Sequence, residues 1–176
     1  RPSLMSRLLF AGLIMLAAIN AHATYLDPMP IEALHARADL IATGSITHVH
    51  AQWEDGRIYS YAHFAKDEIL VGTSPTEDIA IRIPGGEVDG LGMLAFGAPD
   101  LRGGDHVLLF LRQNPYARSW HIVGFNQGAL SLRHAEDATL LEPISTTEGS
   151  VPTTHSWPVT LRDYRAVLTQ LDGVSP

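Results

Sequence analysis

Cysteine is absent from the 176 residues, which excludes disulfides, thiol nucleophiles and cysteine-based zinc sites. Basic residues are also few: 12 Lys and Arg stand against 19 Asp and Glu, a formal net charge of -7. Because an acidic surface repels phosphate, neither nucleic acid nor anionic lipid is an expected partner. The longest apolar run, residues 8–19, is shorter than the roughly 20 residues that span a bilayer.

That apolar run belongs to a pattern typical of an export leader. Arg1 and Arg7 precede it and Ala21-His22-Ala23 follows it, the order of a signal peptide with a small-x-small cleavage site. We expect residues 1–23 to be a signal peptide cleaved near Ala23, and the mature chain to be secreted or periplasmic, with no membrane association. Cleavage after Ala21 would instead leave His22 as the first residue, where its amine and imidazole could chelate copper.

Recognisable catalytic motifs are missing as well. The sequence contains neither a GxSxG nucleophile elbow nor an HExxH zinc motif. The glycine-rich residues 85–92 follow a predicted strand but lack GxGxxG and GK[ST], and their acidic side chains would repel phosphate. We therefore expect no enzyme; an enzyme with an unrecognised site stays as an alternative.

The hydropathy pattern predicts a mainly β fold with a helix at each end of the mature chain. A turn at Asp55-Gly56 joins two long alternating strands, and long strands favour a coiled barrel. We predict a small OB-like antiparallel barrel over residues 24–134, with an open sandwich as the alternative. Residues 135–176 are predicted to be a surface segment followed by an amphipathic helix that packs on the barrel, with Thr160 as its N-cap. The predicted helices are residues 30–38 and 160–171, and the predicted strands are residues 39–52, 57–71, 79–83, 106–112, 120–125 and 128–132, of which 106–112 should be the most buried.

Three of the nine histidines suggest a metal site. His48 and His50 are two residues apart on a strand, so both point to one face. Counting across the Asp55-Gly56 turn places His63 opposite roughly residue 48. Three imidazoles on one face could bind zinc or copper; the alternative is a solvated polar face. Apart from such an ion we expect no cofactor.

Several short motifs, taken in order, resemble those of netrin-like domains. Residues 38–46 (ADLIATGSI) are similar to the first strand of such domains, residues 68–72 (EILVG) to the end of the second, and residues 104–111 (GDHVLLFL) to a later strand. Residues 84–90 (PGGEVDG) and 124–128 (GFNQG) resemble an uncharacterised group of secreted bacterial proteins often encoded near matrixin-type metalloproteases. The resemblance covers roughly residues 30–133.

Netrin-like domains include the tissue inhibitors of metalloproteinases, so the resemblance implies an OB barrel that binds a zinc protease. In those inhibitors the amine and carbonyl of the first mature residue chelate the protease zinc, and disulfides hold that terminus. Thr24 would present the same two groups here, with Tyr25 entering the substrate cleft, but without cysteines no covalent bond holds the segment. The sequence thus predicts a secreted, non-enzymatic protein-binding module whose partner is a secreted matrixin-type metalloprotease. The expected contacts are Thr24, Tyr25, Gly85, Gly86, Glu87 and Asp89, within the N-terminal segment and the loop of residues 85–99.

Overall fold

A computed structural model describes residues 28–74, 78–116, 119–146, 158 and 160–172. Thr24, Tyr25 and the predicted signal peptide lie outside the described residues. The elements, in chain order, are helix α1 (Ile31–Arg37), strands β1 (Leu40–Glu54), β2 (Arg57–Gly72), β3 (Asp78–Pro84), β4 (Gly86–Val88), β5 (Leu91–Met93), β6 (His106–Gln113) and β7 (Trp120–Ile122), a 3₁₀ turn (Phe125–Gly128), strands β8 (Ala129–His134) and β9 (Thr139–Pro143), and helix α2 (Leu161–Asp172).

Five strands close into a barrel, which confirms the predicted fold class. The order is β1-β2-β3-β7-β6, and β6 pairs back onto β1 from Leu40↔Leu111 to Ser45↔His106. All barrel pairings are antiparallel except that of β3 with β7, which is parallel. The turn between β1 and β2 has positive φ at Asp55 (49°) and Gly56 (76°), the backbone of a type I′ hairpin turn, which explains why the Asp-Gly pair is a good signal.

Strand β6 is the centre of the molecule. Its residues 107–111 are all buried, because both faces are covered. Val107, Leu109 and Leu111 point into the barrel, whereas Leu108 and Phe110 pack outside it. A strand covered on both faces is apolar without alternation, which accounts for the HVLLFLRQ sequence.

The two helices cover the outer side of this strand. Leu34 of α1 and Tyr164 and Leu168 of α2 join Leu108 and Phe110 in a second core. Tyr164 packs edge-on to Phe110 with the ring centroids 5.7 Å apart. The backbone N–H of Asp163 donates to Thr160 Oγ1 at 3.1 Å, so the predicted cap is confirmed.

Three features of the sheet differ from the sequence prediction. The strand predicted over residues 120–125 ends at Ile122, and the chain turns through Gly124, which has positive φ, into the 3₁₀ turn. The loop of residues 85–99 contains a small hairpin, β4–β5, with its turn at Asp89 and Gly90. Strand β9 pairs with β8 from Leu130↔Pro143 to His134↔Thr139, where a surface segment was predicted. Both strands of the hairpin have three residues and β9 has five, too few for a two-residue alternation to stand out.

Candidate metal site on the first hairpin

The long β1–β2 hairpin extends beyond the contact of β1 with β6. Pairing of β1 with β6 stops at Ser45, while pairing with β2 continues to Glu54↔Arg57. A bulge lies between the pairs Ile46↔Phe64 and His48↔His63, where Thr47 is the extra residue. The bulge shifts the alternation by one position, so Ile46 is buried inside the barrel while His48 and His50 are exposed.

His48, His50 and His63 lie together on the outer face of this hairpin. Their ligand nitrogens are all within 4.8 Å of one another, and within the described residues they are the one such group of three His, Asp or Glu side chains. The ring centroids of His48 and His63 are 3.9 Å apart, those of His50 and His63 5.4 Å, and those of His48 and His50 6.1 Å. The hairpin register is the one predicted by counting from the turn.

The spacing fits a shared metal ion after small side-chain rotations. Zinc binds imidazole nitrogen at about 2.0–2.1 Å in tetrahedral geometry, which puts neighbouring nitrogens roughly 3.4 Å apart. The rings of His48 and His63 are stacked within 12° of parallel, so one of them must turn to aim its lone pair at the same point. His48 is exposed, so its ring can tilt about the contact of Nδ1 with Thr47 to make that turn.

Thr47 fixes which nitrogen of His48 is available. Its hydroxyl donates to the backbone carbonyl of His63 at 3.2 Å, and the same oxygen lies 3.2 Å from His48 Nδ1. Because a hydroxyl has one hydrogen, Thr47 Oγ1 accepts from His48 Nδ1–H. The lone pair of His48 is then on Nε2. In metal-binding histidines, the ring nitrogen that does not bind the metal commonly donates a hydrogen bond in this way, which fixes the tautomer and the ring orientation.

A metal site at these histidines would depend on the Thr47 hydroxyl. Replacing Thr47 with valine keeps the branched shape and removes the hydroxyl, and we expect zinc affinity to fall about 10–100-fold, the usual effect of losing such a partner. Thr47→Ser keeps the hydroxyl and serves as the control. Calorimetric zinc titration of both variants tests this; equal affinity of Thr47→Val and wild type would rule out the orienting role.

A hydrogen-bonded network borders the histidines. Tyr61, which pairs with His50 in register, stacks on it with the centroids 5.6 Å apart. Its hydroxyl donates to Glu54 Oε2 at 2.7 Å, and Arg82 Nε donates to the same oxygen at 3.0 Å. Those two bonds, from Tyr61 and then Arg82, lower the pKa of Glu54, whereas burial and then the bond to Glu54 raise the pKa of Tyr61.

The network engages Tyr61 and Glu54, which leaves the imidazoles as the donor set of the site. Tyr61 stays a neutral phenol at physiological pH and the Glu54 carboxylate is held by Tyr61 and Arg82. Three imidazoles suit zinc, copper or nickel, whereas calcium and magnesium prefer several oxygen ligands. Thr47 and Tyr61 were not predicted from the sequence, although Tyr61 follows from the same turn-centred count that pairs His48 with His63.

Four of the six residues predicted for partner binding are described in the structure, and they fall into two groups. Gly85 is buried and Gly86 half-buried; the Gly85 N–H donates to Ile58 O at 2.9 Å, and Ser60 Oγ donates to Gly85 O at 2.8 Å. These two glycines hold the β4–β5 hairpin against the β1–β2 hairpin. Glu87 and Asp89 are exposed at its tip.

Comparisons with known proteins add no relative: the chain matches no family model, no curated protein and no solved structure. Within the described residues, no helix combines the length and the apolar character needed to cross a membrane.

Proposed function

We propose that this chain is an exported protein that binds a transition-metal ion, zinc or copper, through His48, His50 and His63. The observation that carries the proposal is the convergence of three imidazoles, with ligand nitrogens within 4.8 Å of one another, on one face of the β1–β2 hairpin. The bulge at Thr47 and the hydrogen bond from His48 Nδ1 support it. Water or another donor would complete the coordination.

The proposal predicts a stoichiometric site that depends on these side chains. We expect the mature protein to bind one equivalent of Zn²⁺ or Cu²⁺ in a calorimetric titration, and the His48→Ala/His50→Ala/His63→Ala variant to bind none. Because protons compete with the metal for the imidazole nitrogens, the affinity should fall as the solution is made more acidic. Mg²⁺ should give no heat, since it prefers oxygen ligands.

The control for the triple variant is His106→Ala/His134→Ala. Both of these histidines are exposed and lie on β6 and β8, outside the proposed site. Equal metal uptake by the triple variant and this control would contradict the proposal, as would uptake of more than one equivalent that survives removal of all three ligands.

A second candidate function is protein binding by the segment around the β4–β5 hairpin. Leu91, Leu94 and Phe96 are 60%, 59% and 71% exposed within six residues of sequence, and exposed apolar side chains close together are typical of interaction sites. Next to the 3₁₀ turn, the Met29 N–H donates to Gln127 Oε1 at 2.6 Å, which would anchor the predicted N-terminal segment in place of a disulfide. The netrin-like resemblance supports a secreted matrixin-type metalloprotease as the partner.

This second function is tested with the mature protein and such a protease. We expect inhibition, and we expect one extra residue before Thr24 to abolish it, because the extension removes the free amine that would chelate the protease zinc. Phe96→Ser should weaken binding without loss of fold. Equal inhibition by the native and extended chains would contradict chelation by Thr24, and equal inhibition by Phe96→Ser would contradict the role of the exposed segment.

A further inference from the structure

A second site lies beside the 3₁₀ turn, separate from the histidine cluster. It is a cleft of about 220 Å³ between β3, β7 and the loop before β6. Its walls are mostly apolar, being formed by Ile83, Pro84, Pro99, Ile122 and Phe125. Pockets for drug-sized ligands start at about 300 Å³, so this cleft fits a ligand with one ring or a branched side chain.

Phe125 stands at the rim of the cleft in an unusual backbone conformation. Its φ is +58°, the left-handed region that a bulky residue rarely adopts. Neighbouring bonds hold it there: Asn126 N–H donates to Gly97 O at 3.1 Å, and Gln127 N–H to Gly124 O at 3.2 Å. The ring nevertheless remains 40% exposed. Strained residues of this kind cluster at ligand sites, and burial of the Phe125 ring against a ligand would explain why this strain is retained.

The polar groups of the cleft are mainly donors. Arg82 lines it, but its guanidinium is partly engaged: Nε donates to Glu54 at 3.0 Å. The group is also hydrogen-bonded to Tyr61 and lies over the Tyr59 ring, 3.3 Å from the centroid, so a ligand can use only its remaining N–H groups. Asn114 Oδ1 accepts from the Tyr116 N–H at 2.9 Å, so its amide NH₂ remains for another partner. Ser119 and His121 complete the polar lining, and no Asp or Glu lines the cleft in the described part of the chain.

His121 is another of these donors. Burial and then the charge of Arg112 lower the pKa of His121, so its imidazole is neutral at pH 7 and carries one N–H. The cleft therefore combines apolar walls, several neutral donors and the Arg82 guanidinium, whose charge is shared with Glu54. This arrangement suits a ligand group that only accepts hydrogen bonds, such as a carboxylate.

We propose that this cleft binds a carboxylate attached to an aromatic or branched apolar group, with the apolar group against Phe125 and Ile122 and the carboxylate at Arg82, Asn114 and Ser119. The same chemistry occurs in a small free acid and in the C-terminal residue of a peptide. This inference does not depend on metal binding by the histidines.

The probes are 3-phenylpropionate and the peptide Gly-Gly-Phe with a free carboxyl end, each compared with its neutral amide. In titrations of the ¹⁵N-labelled mature protein we expect saturable shifts at Ser119, His121 and Phe125, with a dissociation constant on the order of 1 mM for the small acid. The amides should bind at least fivefold more weakly. Tighter binding of the peptide identifies a chain terminus as the ligand, and tighter binding of the small acid identifies a free acid.

Two variants separate ligand contacts from structural effects. Arg82→Gln should weaken binding at least tenfold, whereas the control Arg133→Gln, which breaks the exposed pair with Glu142, should not change it. Phe125→Gly should weaken binding while the protein stays folded, because the tolerance of glycine for positive φ offsets part of the packing lost with the ring. The proposal is overturned by any of three results: no saturation by either acid, equal binding of acids and amides, or full affinity in Phe125→Gly.

Discussion

Gly44→Ala is expected to destabilise the barrel by about 3 kcal/mol or more, at the upper end of overpacking effects. A Cβ at this position would overlap the carbonyl oxygen of Ala65 and lie 2.7 Å from Phe64 Cε2 and 2.9 Å from Lys66 Cα. Two of these three atoms are backbone, so a rotamer change cannot relieve the overlap. Gly44 pairs with Lys66 on one side and Val107 on the other, which leaves β1 little room to shift.

The physical cause is the closure of the barrel. Gly44 follows a register shift at Thr43, where β1 coils to pair with both of its neighbours, and glycine in a strand commonly marks such a close backbone approach. Chemical denaturation and thermal unfolding measure the effect. At about 2–4 °C per kcal/mol for a chain of this size, a loss of about 3 kcal/mol lowers the midpoint by roughly 6–12 °C.

Gly92→Ala is the matched control. Gly92 also lies in a strand, without positive φ, and a Cβ there meets nothing within 4 Å. Its stability should change by less than about 0.5 kcal/mol. If the thermal midpoints of Gly44→Ala and Gly92→Ala differ by only a degree or two, β1 can move away from β2. That result would contradict the tight pairing of β1 with both β2 and β6 at Gly44.

His63→Ala is expected to remove most of the metal affinity. The rings of His48 and His50 are each nearer to His63 than to each other, at 3.9 and 5.4 Å against 6.1 Å, so His63 is the central residue of the proposed site. Losing His63 should weaken zinc binding about 100-fold or more. This exceeds the 10–100-fold loss that is typical when a residue that hydrogen-bonds a ligand is removed.

The metal-induced stabilisation provides the measurement. With zinc at about 100 times its dissociation constant, binding stabilises the native state by about 2.7 kcal/mol, and a 100-fold weaker site leaves about 0.4 kcal/mol. The zinc-induced rise in midpoint should therefore be nearly lost in His63→Ala. His106→Ala is the control, since His106 is exposed on β6 and contacts Ser45 Oγ at 3.3 Å. An unchanged zinc-induced rise in His63→Ala would contradict the assignment.

Much of this fold could be predicted from the sequence because its signals are local. The Asp55-Gly56 turn fixes the register of two long strands, and the apolar run of β6 identifies the strand that both cores cover. The short strands β4, β5 and β9 could not be predicted, because three to five residues are too few for a two-residue alternation to stand out.

The histidine cluster was predictable for the same reason: one tight turn determines which residues face each other. The bulge at Thr47 was not, because a bulge is decided by the closing of the barrel on the other side of β1. Phe125 was also missed. Its sequence neighbourhood suggested the continuation of a strand, whereas the structure ends β7 at Ile122 and turns through Gly124.

The most direct test of the metal site is NMR of the imidazole nitrogens of the mature protein during titration with one equivalent of Zn²⁺. We predict that the ring nitrogens of His48, His50 and His63 shift together, with His48 bound through Nε2, and that those of His106, His121 and His134 stay unchanged. Shifts confined to the second group, or no shift at any of the three proposed ligands, would contradict the assignment.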